Sequence, residues 1–473
     1  MHPFDRYAAL TDLDALRKAS AKPLRKSMRV NTLKTSVKDF LAWAKEKSWM
    51  VEPVPWCEEG FFVDRVDREV ALGKDLLHLL GHTYMQEAAS MLPVALLDPQ
   101  PGDMVLDMSA APGSKTTQVA AMLQGSGVIV ANDVQEKRLW TLKSSLHRCG
   151  VTNVLVTKKV GQWFARHMTE RFDRVLCDAP CTAQGTSRKD SDALLYSSEE
   201  NVGKMAKLQR ELLESAIHAA KVGGVIVYST CTLTPEENEE VIASVLNKFS
   251  NQLEPLALGL QMKEALSKGL EDSAKVQQAI GVKEFPAIRL WPQTYNTEGF
   301  FSAALRKTAP TRDREGFAAV RFVEERMPPA RQRNIEDMLR EQYGTSFIHP
   351  GERLFERGDM LILTNEETSD FRLPVSDYSL GLPFGRRLDG EGGRVRVRLD
   401  HDIATLRGKE TTKNICVLDD AALEALLDGK DTTCDATLRG DVVLFYRGMS
   451  VGFGLAKDGH LKNRLPRWLV QKS

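Results

Sequence analysis

The chain has 473 residues, enough for about three domains. Hydrophobic residues make up 42% of it and charged residues 27%, so it can bury apolar cores, and a disordered or fibrous protein is excluded. The 64 Lys and Arg residues are balanced by 64 Asp and Glu residues, which excludes a uniformly basic surface. A local phosphate-binding face is not excluded, because charge can be segregated along the chain.

No apolar run reaches the roughly 18 residues that a membrane span needs, and the N-terminus lacks the pattern of a signal peptide. The seven cysteines include no C-x-x-C pair, so the sequence predicts neither a disulfide framework nor a metal site. No pattern indicates self-association. These features predict a monomeric protein without a membrane partner in a reducing, cytoplasmic compartment.

The first predicted unit is a small α/β flank over residues 1–65, with a helix over 37–47. Within it, from Arg17 to Lys47, ten basic residues stand against two acidic ones. Such an imbalance is typical of a phosphate-binding face, but a solvated helix surface has the same composition. Both interpretations stay open on charge alone.

After a predicted helix over 86–97, strands and helices alternate along the chain. Strands are predicted over 104–108, 127–131, 154–157, 174–178, 225–229 and 300–305. Helices are predicted over 114–123, 135–149, 204–220 and 235–249, with Gly223 and Gly224 ending the third. This alternation favours a parallel sheet covered on both faces.

A linker-like stretch rich in proline follows residue 307, and strands dominate again from residue 382. They are predicted over 394–399, 415–418, 442–446 and 450–455, as a compact β-rich module. Arg394, Arg396 and Arg398 alternate along one of these strands and would share a face. They, and the group Lys462, Arg464 and Arg467, are either nucleic-acid contacts or ordinary solvent-facing side chains.

The segment DMSAAPGSKT (residues 107–116) joins the first strand of the alternating region to its helix. Ligands of open α/β sheets bind beyond the carboxyl ends of strands, and Gly113 permits a tight approach of the backbone. Asp133 ends the next strand, where a carboxylate can accept hydrogen bonds from ribose hydroxyls. The spacing does not fit a phosphate-binding P-loop, because Ser114 separates Gly113 from Lys115. A nucleoside cofactor is favoured over a plain turn.

Two further strand ends carry the segments DAPCTAQG (178–185) and YSTCT (228–232). They bring Asp178, Cys181 and Cys231 to the edge where a ligand is expected. A lone cysteine is more often a small buried hydrophobe. We expect that role for the other five cysteines, Cys57, Cys149, Cys177, Cys416 and Cys434.

In this order and spacing, these three segments resemble those of the RNA cytosine-C5 methyltransferases. Further similar segments are RVNTLK (29–34), YMQE (84–87), EENE (236–239) and EGFF (298–301). The resemblance covers about residues 20–308. The segment DGHLKNRLPR (458–467) is similar to the end of one branch of the family, which acts on 16S rRNA and carries a PUA-like domain.

The resemblance implies an α/β fold with a Rossmann-like, class I S-adenosylmethionine-dependent methyltransferase core. To this core it adds an N-terminal α/β flank and a C-terminal β-rich, PUA-like RNA-binding domain. The expected division is an RNA-binding flank (1–65), a methyltransferase domain (66–308), a small linker or accessory domain (309–380) and the PUA-like domain (381–473).

The resemblance also implies the cofactor S-adenosylmethionine and roles for particular residues. Cys231 would be the nucleophile that adds to C6 of the cytosine, Cys181 would assist product release, and Asp178 would face the base. The implied cofactor contacts are Ser109, Ala110, Ala111, Pro112, Gly113, Ser114, Lys115, Asp133 and Asp178.

Two departures from the family pattern stand out. Val160 occupies the position of an acidic residue that usually faces the adenine amino group, and a valine cannot accept that hydrogen bond. The loss of one neutral contact costs about 1 kcal/mol. The second departure is TAQG at 182–185, where SGEG is commoner.

The leading hypothesis is therefore methylation of a cytosine in 16S rRNA near the decoding region of the small ribosomal subunit. A tRNA substrate would keep the chemistry and change the target. A non-catalytic RNA-binding factor for ribosome assembly is the third interpretation, but it gives no role to two strand-end thiols. A uracil-C5 enzyme is disfavoured, because the Pro180–Cys181 pair is a feature of the cytosine family.

Overall fold

The computed structural model describes residues 3–66, 71–313, 316, 320, 322–375, 378–389 and 395–470. Within these residues, four β-sheets hold the strands given below. In the same part of the chain, no helix has the length and apolar character needed to cross a membrane.

The first sheet is antiparallel and has the strand order β2-β3-β1-β4. Its strands are β1 (Ser27–Val30), β2 (Met50–Val54), β3 (Cys57–Asp64) and β4 (Thr83–Met85). The helices of this region are α1 (Leu13–Ser20), α2 (Val37–Glu46) and α3 (Leu76–Leu79). Ser36 and Asp39 form a reciprocal capping box at the start of α2, which explains why the predicted helix begins there.

The second sheet is the large central one. Its strands up to residue 307 are β5 (Met104–Asp107), β6 (Val128–Asn132), β7 (Val154–Thr157), β8 (Phe172–Asp178), β9 (Ala220–Thr230), β10 (Leu253–Pro255), β11 (Ile288–Leu290) and β12 (Phe300–Lys307). They lie in the order β10-β12-β9-β8-β5-β6-β7, with β11 beside β12. Strands β5 to β9 run parallel, and β12 is antiparallel to β9.

Helices cover both faces of this sheet. They are α4 (Ala88–Leu97), α5 (Ser114–Leu123), α6 (Glu136–Cys149), α7 (Gln162–His167), α8 (Glu199–Ala219), α9 (Glu239–Lys248), α10 (Leu260–Ala265), α11 (Ser267–Ile280) and α12 (Pro292–Tyr295). Two apolar clusters form, because parallel strands in such a fold are buried on both sides. The Rossmann-like fold class predicted from the sequence is confirmed.

One detail of that prediction is wrong. Helix α8 ends at Ala219, so Gly223 and Gly224 do not end it but lie inside β9. There Gly223 has a φ of +85°, which glycine adopts without strain, and the pairing of β9 with β8 shifts register nearby. The glycines thus mark an irregularity in a strand rather than a helix end.

The third and fourth sheets follow in the C-terminal part. The third has the order β13-β14-β15-β17-β18, and the fourth has β19-β21-β22-β23-β20. The strands are β13 (Glu325–Arg326), β14 (Glu352–Arg357), β15 (Met360–Asn365), β16 (Tyr378–Leu380), β17 (Leu382–Asp389), β18 (Val395–Leu399), β19 (Ile415–Val417), β20 (Thr432–Thr433), β21 (Gly440–Tyr446), β22 (Met449–Lys457) and β23 (His460–Asn463). The helices are α13 (Pro329–Tyr343), α14 (Glu366–Asp370), α15 (His401–Arg407) and α16 (Asp420–Leu427).

Strand β16 belongs to neither of these sheets. It pairs antiparallel with β7 and becomes the last strand of the central sheet, with Ser379 opposite Val156. Strands β17 and β18, expected with the C-terminal module, hydrogen-bond within the third sheet instead. The fourth sheet shares an apolar cluster with the N-terminal sheet, where Phe40 and Trp43 lie in one core with Leu426 and Tyr446.

Candidate active site

The cofactor loop, defined as residues 107–116, begins with a buried carboxylate. Asp107 accepts hydrogen bonds from the Thr116 hydroxyl at 2.7 Å and from the Ser109 N–H at 3.3 Å. Burial raises the pKa of Asp107 to about 6. The carboxylate therefore ties the start of the loop to the first turn of α5.

Gly113 stands where the cofactor loop packs against α6. Its φ is +109°, and an added Cβ would lie 3.0 Å from Ser145 Cβ and 3.2 Å from Leu142 Cδ1. A side chain at position 113 would be strained by the backbone conformation and crowded by its neighbours. Glycine is thus required here for two independent reasons.

Asp133 lies next to the cofactor loop in the structure. The sequence analysis expected these two parts of the chain to contact the same cofactor. Its buried carboxylate accepts hydrogen bonds from the Ala111 N–H at 3.3 Å and the Gln135 N–H at 2.9 Å. Arg138 forms an ion pair with it at 3.3 Å and also donates to the Ala111 carbonyl. Arg138 was not identified from the sequence, because a surface arginine on a helix carries no distinguishing signal.

Lys115 links the cofactor loop to the end of β8. Its Nζ donates to Asp178 Oδ2 at 2.7 Å, and the Ser229 hydroxyl donates to Asp178 Oδ1 at 2.6 Å. Burial lowers the pKa of Lys115, but the charge and hydrogen bond of Asp178 outweigh that effect and raise it above its usual value. Ser229 is a site neighbour that the sequence analysis missed, although it lies inside the segment YSTCT.

The two strand-end cysteines are brought together. Cys181 Sγ and Cys231 Sγ lie 3.3 Å apart, and both side chains are half-buried. They follow the adjacent parallel strands β8 and β9, and the Gly185 N–H donates to the Cys231 carbonyl at 3.0 Å. The hydrogen bond to Cys231, together with burial, raises the pKa of the Cys181 thiol well above its usual range.

A fully buried glutamate, Glu237, joins the cysteine loops, which we define as residues 178–185 and 230–234. Its carboxylate accepts hydrogen bonds from Thr182 and Thr234, as well as from Gln209 of α8. The sequence analysis noted its segment EENE only as part of a resemblance. The repeated pair of cysteine followed by threonine, at 181–182 and 231–232, was the available signal.

Apolar side chains stand exposed on the loops that follow β6 and β7. Val160 is 56% exposed and Val134, next to Asp133, is 54% exposed. Asn132 fixes the loop of Val160, because it donates to the Lys159 carbonyl at 2.9 Å and accepts from the Lys159 N–H at 2.8 Å. The valine at position 160 thus faces open space in a well-fixed loop.

The remaining cysteines divide by burial. Cys57, Cys149, Cys177 and Cys416 are buried, as predicted, whereas Cys434 is half-buried. In the ranges that the structure describes, no group of three His, Cys, Asp or Glu side chains is arranged to hold a metal ion.

Only some of the basic residues in the N-terminal flank lie at the surface of the protein. Arg29 is buried and donates to Gln86 Oε1 at 2.9 Å and Thr117 Oγ1 at 2.8 Å. Lys34 is also buried and donates to the Arg148 carbonyl at 2.6 Å. Seven others are exposed: Arg17, Lys18, Lys22, Lys26, Lys38, Lys45 and Lys47. The phosphate-facing interpretation therefore applies to these seven and not to the whole stretch.

The C-terminal basic residues are also exposed. Arg396 and Arg398 lie on one face of β18, alternating with buried Val397 and Leu399, which confirms their predicted alternation. Arg394 lies outside the described residues. The other predicted group, Lys462, Arg464 and Arg467, is exposed, although Arg464 is paired with an aspartate.

Family models match three parts of the chain. Residues 94–306 match the 16S rRNA methyltransferase RsmB/F, residues 6–88 match the N-terminal domain of 16S rRNA methyltransferase RsmF, and residues 413–471 match the methyltransferase RsmF PUA domain. These ranges coincide with the central, first and fourth sheets.

Similar proteins cover nearly the whole length. The ribosomal RNA small subunit methyltransferase F of Aeromonas salmonicida is 37% identical over 97% of this chain and 94% of its own. That of Vibrio vulnificus (strain YJ016) is 36% identical over 95% and 92%. The crystal structure of a methyltransferase homolog protein from Pyrococcus horikoshii is 36% identical, with a TM-score of 0.54 over 64% of this chain and 93% of that one.

A doubly covered parallel sheet followed by a PUA domain, in a chain with these relatives, defines an RNA methyltransferase. More closely, the chain belongs to the 16S rRNA methyltransferase RsmB/F family. The resemblance drawn from the sequence motifs is confirmed at the level of the family. The roles assigned to single residues, and the four-part division by residue number, stay predictions.

Proposed function

We propose that the protein transfers a methyl group from S-adenosylmethionine to C5 of a cytosine in 16S rRNA, near the decoding region, through a covalent adduct of Cys231. The observation that carries this proposal is the pair of half-buried thiols, Cys181 and Cys231, 3.3 Å apart at adjacent strand ends. The names of the full-length relatives support the RNA. We propose that the protein acts as a monomer in the cytoplasm.

The residues of the cofactor loop fit a nucleoside cofactor. Residues 109–114 are small, and Gly113 carries no side chain, so the backbone itself can contact a ligand. The carboxylate of Asp133 lies beside the loop in reach of ribose hydroxyls, and Val134 and Val160 offer apolar surface for a base. S-adenosylmethionine supplies the methyl group as a sulfonium. The contacts proposed for it are residues 109–115, Asp133 and Asp178.

Cys231 is the proposed nucleophile. C5 of cytosine is a poor nucleophile until a thiolate adds to C6, which makes C4–C5 an enamine-like donor and divides one hard step into two. A free cysteine is only a few per cent thiolate at neutral pH. Lys115, which pairs with Asp178, also interacts with Cys231. Asp178, which accepts hydrogen bonds from Lys115 and Ser229, is the residue proposed to face the base.

Cys181 is the proposed partner in release. After methyl transfer, the proton on C5 must leave and the C6–S bond must break, with the electron pair of that bond returning to Cys231 Sγ. The separation of 3.3 Å between the Cys181 and Cys231 sulfurs supports this role. Replacing Cys181 should therefore leave attack possible and stop the release.

The target base must be single-stranded or flipped, because an enzyme cannot reach C6 inside a duplex, and this costs a few kcal/mol. The exposed lysines and Arg17 of the N-terminal flank, together with Arg396 and Arg398 of β18, are the proposed phosphate contacts. The flank residues lie on α1, on α2 and in the adjoining loops, whereas the two arginines lie on a strand of the third sheet.

The test is to incubate the protein with S-adenosylmethionine and, in parallel, 30S subunits, naked 16S rRNA or tRNA. New 5-methylcytosine is then mapped by bisulfite sequencing. New 5-methylcytosine found only in 16S rRNA supports the proposal. Comparison of the incubations with 30S subunits and with naked 16S rRNA shows which of the two is the substrate. A mark on tRNA would transfer the chemistry to another substrate. No mark despite cofactor binding would favour a non-catalytic RNA-binding role.

A further inference from the structure

Glu237 has no role in the steps above, yet its carboxylate lies between the two cysteine loops. Each cysteine is followed directly by a threonine, Thr182 after Cys181 and Thr232 after Cys231. Thr182 donates to Glu237 through its N–H at 3.0 Å and through its hydroxyl, and the Thr232 hydroxyl lies 3.3 Å from Oε1. One carboxylate thus fixes the loops after β8 and β9 relative to each other.

Glu237 has two further donors, one in the second cysteine loop and one in helix α8. The Thr234 hydroxyl donates at 2.8 Å and Gln209 Nε2 at 2.8 Å, and Gln209 also donates to the Pro180 carbonyl at 2.8 Å. Both carboxylate oxygens accept, which is the pattern of an ionised group. All donors are neutral, and none of the ion pairs found within the described ranges includes Glu237. Its negative charge is solvated by hydrogen bonds but not neutralised, so it acts on its neighbours.

Charge is distributed unevenly around the two thiols. The titratable groups that face Cys181 are Cys231, Glu237 and Tyr228, whose hydroxyl donates to the Glu237 carbonyl at 2.5 Å. Lys115 interacts with Cys231 instead, and Asp178 pairs with that lysine at 2.7 Å. The charge of Glu237 on the Cys181 side disfavours a thiolate at Cys181.

We propose that Glu237 is a positioning residue that makes Cys181 the hydrogen-bond donor and Cys231 the acceptor in the thiol pair. This deepens the proposed function and rests on it. When the C6–S bond breaks, its electron pair returns to Cys231 Sγ, which accepts a hydrogen bond from the Cys181 S–H. The C5 proton passes to water, and its former bonding pair forms the C5–C6 double bond. Glu237 neither gains nor loses a proton.

The charge of Glu237 also agrees with the titration expected of Cys181. The hydrogen bond to Cys231 and burial raise the pKa of the Cys181 thiol, and Glu237 acts in the same direction. Removal of the negative charge should therefore make the Cys181 thiolate easier to form. Removal of one neutral hydrogen bond to the same carboxylate should not.

The experiment measures alkylation of Cys181 by iodoacetamide as a function of pH, without RNA or cofactor. Peptide mass spectrometry measures the rate of alkylation at Cys181. The protein carries Cys231→Ser, so that Cys181 is the one thiol of the pair that can react. In this background, Glu237→Gln should shift the midpoint of the alkylation profile to lower pH by about one unit, a roughly tenfold higher rate below the midpoint. Glu237→Asp and Thr234→Val, which keep the charge, should not lower the midpoint.

The matched control is Glu236→Gln, because Glu236 lies in the same segment but forms a partly exposed ion pair with Arg6 at 2.7 Å. It should leave the profile unchanged. A merely structural role of Glu237 would raise the rate at every pH through greater access, without moving the midpoint.

An unchanged midpoint in Glu237→Gln would overturn the proposal. If the Glu237→Gln variant does not fold, the Cys231→Ser protein is measured alone. An alkylation midpoint of Cys181 at the pH of an ordinary thiol in that protein would also overturn the proposal. The measurement uses neither RNA nor S-adenosylmethionine. Its failure would therefore leave the methylation test untouched, and failure of the methylation test would leave the alkylation result standing.

Discussion

The cofactor loop and the cysteine loops lie at the same edge of one sheet but are stabilised in different ways. The two ends of the cofactor loop are joined at short range, because Asp107 contacts Ser109 and Thr116, close along the chain. The cysteine loops are fixed by Glu237, which accepts from Thr182, a residue 55 positions away. A local sequence can specify the contacts of Asp107, whereas those of Glu237 exist only once β8, β9 and α8 are packed together.

Cys231→Ala gives the largest expected effect and tests the cysteine loops most directly. Without the nucleophile no C6 adduct forms, so we expect turnover to fall about 10⁴-fold or more, to below detection. Cofactor binding should be unchanged, because the cofactor loop is intact. Methyl transfer from labelled S-adenosylmethionine to RNA measures turnover. The matched control is Cys434→Ala, because Cys434 is also half-buried and follows β20, away from the cysteine loops. Residual turnover near the wild-type rate would remove Cys231 from the mechanism.

Cys181→Ala should separate attack from release. We expect a stable enzyme–RNA adduct to accumulate in the presence of cofactor, because the departing Cys231 thiolate loses its sulfur neighbour at 3.3 Å. Denaturing gel electrophoresis with labelled RNA detects the adduct. The double variant Cys181→Ala/Cys231→Ala should show none. Absence of adduct from the single variant, with RNA and cofactor bound, would contradict the release role.

Gly113→Ala tests the cofactor loop on its own. At a φ of +109°, with neighbours 3.0 Å and 3.2 Å from the new Cβ, the substitution should lower the free energy of unfolding by about 1–3 kcal/mol and weaken cofactor binding at least about tenfold. Urea denaturation and calorimetric titration measure the two effects. Gly203→Ala is the matched control, because it lies in α8 with nothing within 4 Å and should be neutral or stabilising. Equal behaviour of the two variants would show that the loop tolerates a side chain.

Val160→Glu is the smallest expected change. If the adenine amino group lies beside position 160, restoring an acceptor should strengthen cofactor binding by about 1 kcal/mol, roughly fivefold in Kd. Calorimetric titration measures it, and Val222→Glu on the exposed part of β9 is the control. An increased or unchanged Kd for the cofactor would show that the amino group has another partner here.

The sequence predicted strands β5 to β9 and β12 of the central sheet well, because each of them carries its own signal. The helix at Ser114–Leu123 and the strand at Val154–Thr157 are observed within the predicted bounds. Buried parallel strands are continuous apolar runs, and the intervening helices are amphipathic, so periodicity distinguishes them. The site residues on these strand ends also meet, since neighbouring parallel strands end at one edge.

Sequence reasoning failed where partners are distant. The strand predicted over 394–399 was grouped with the C-terminal module. It pairs instead with β17, which pairs with β15, in a long-range register that no local pattern encodes. Arg29 and Lys34 look like surface charges in the sequence, but carbonyl, amide and hydroxyl oxygens of the folded protein accept their hydrogen bonds. Glu237 was not predicted as a site residue for the same reason, because its partner Thr182 is distant along the chain.

Strand β16 has a consequence for how the protein is made. The strand that pairs with β7 comes from residues 378–380, after the whole catalytic region and most of the third sheet have been synthesised. Until then the β7 edge presents unpaired backbone groups, and such edges recruit other chains. A nascent chain on the ribosome therefore passes through an interval in which strands β5 to β12 have been synthesised but the β7 edge is open to aggregation. A fragment that stops at residue 308 would remain in that state permanently.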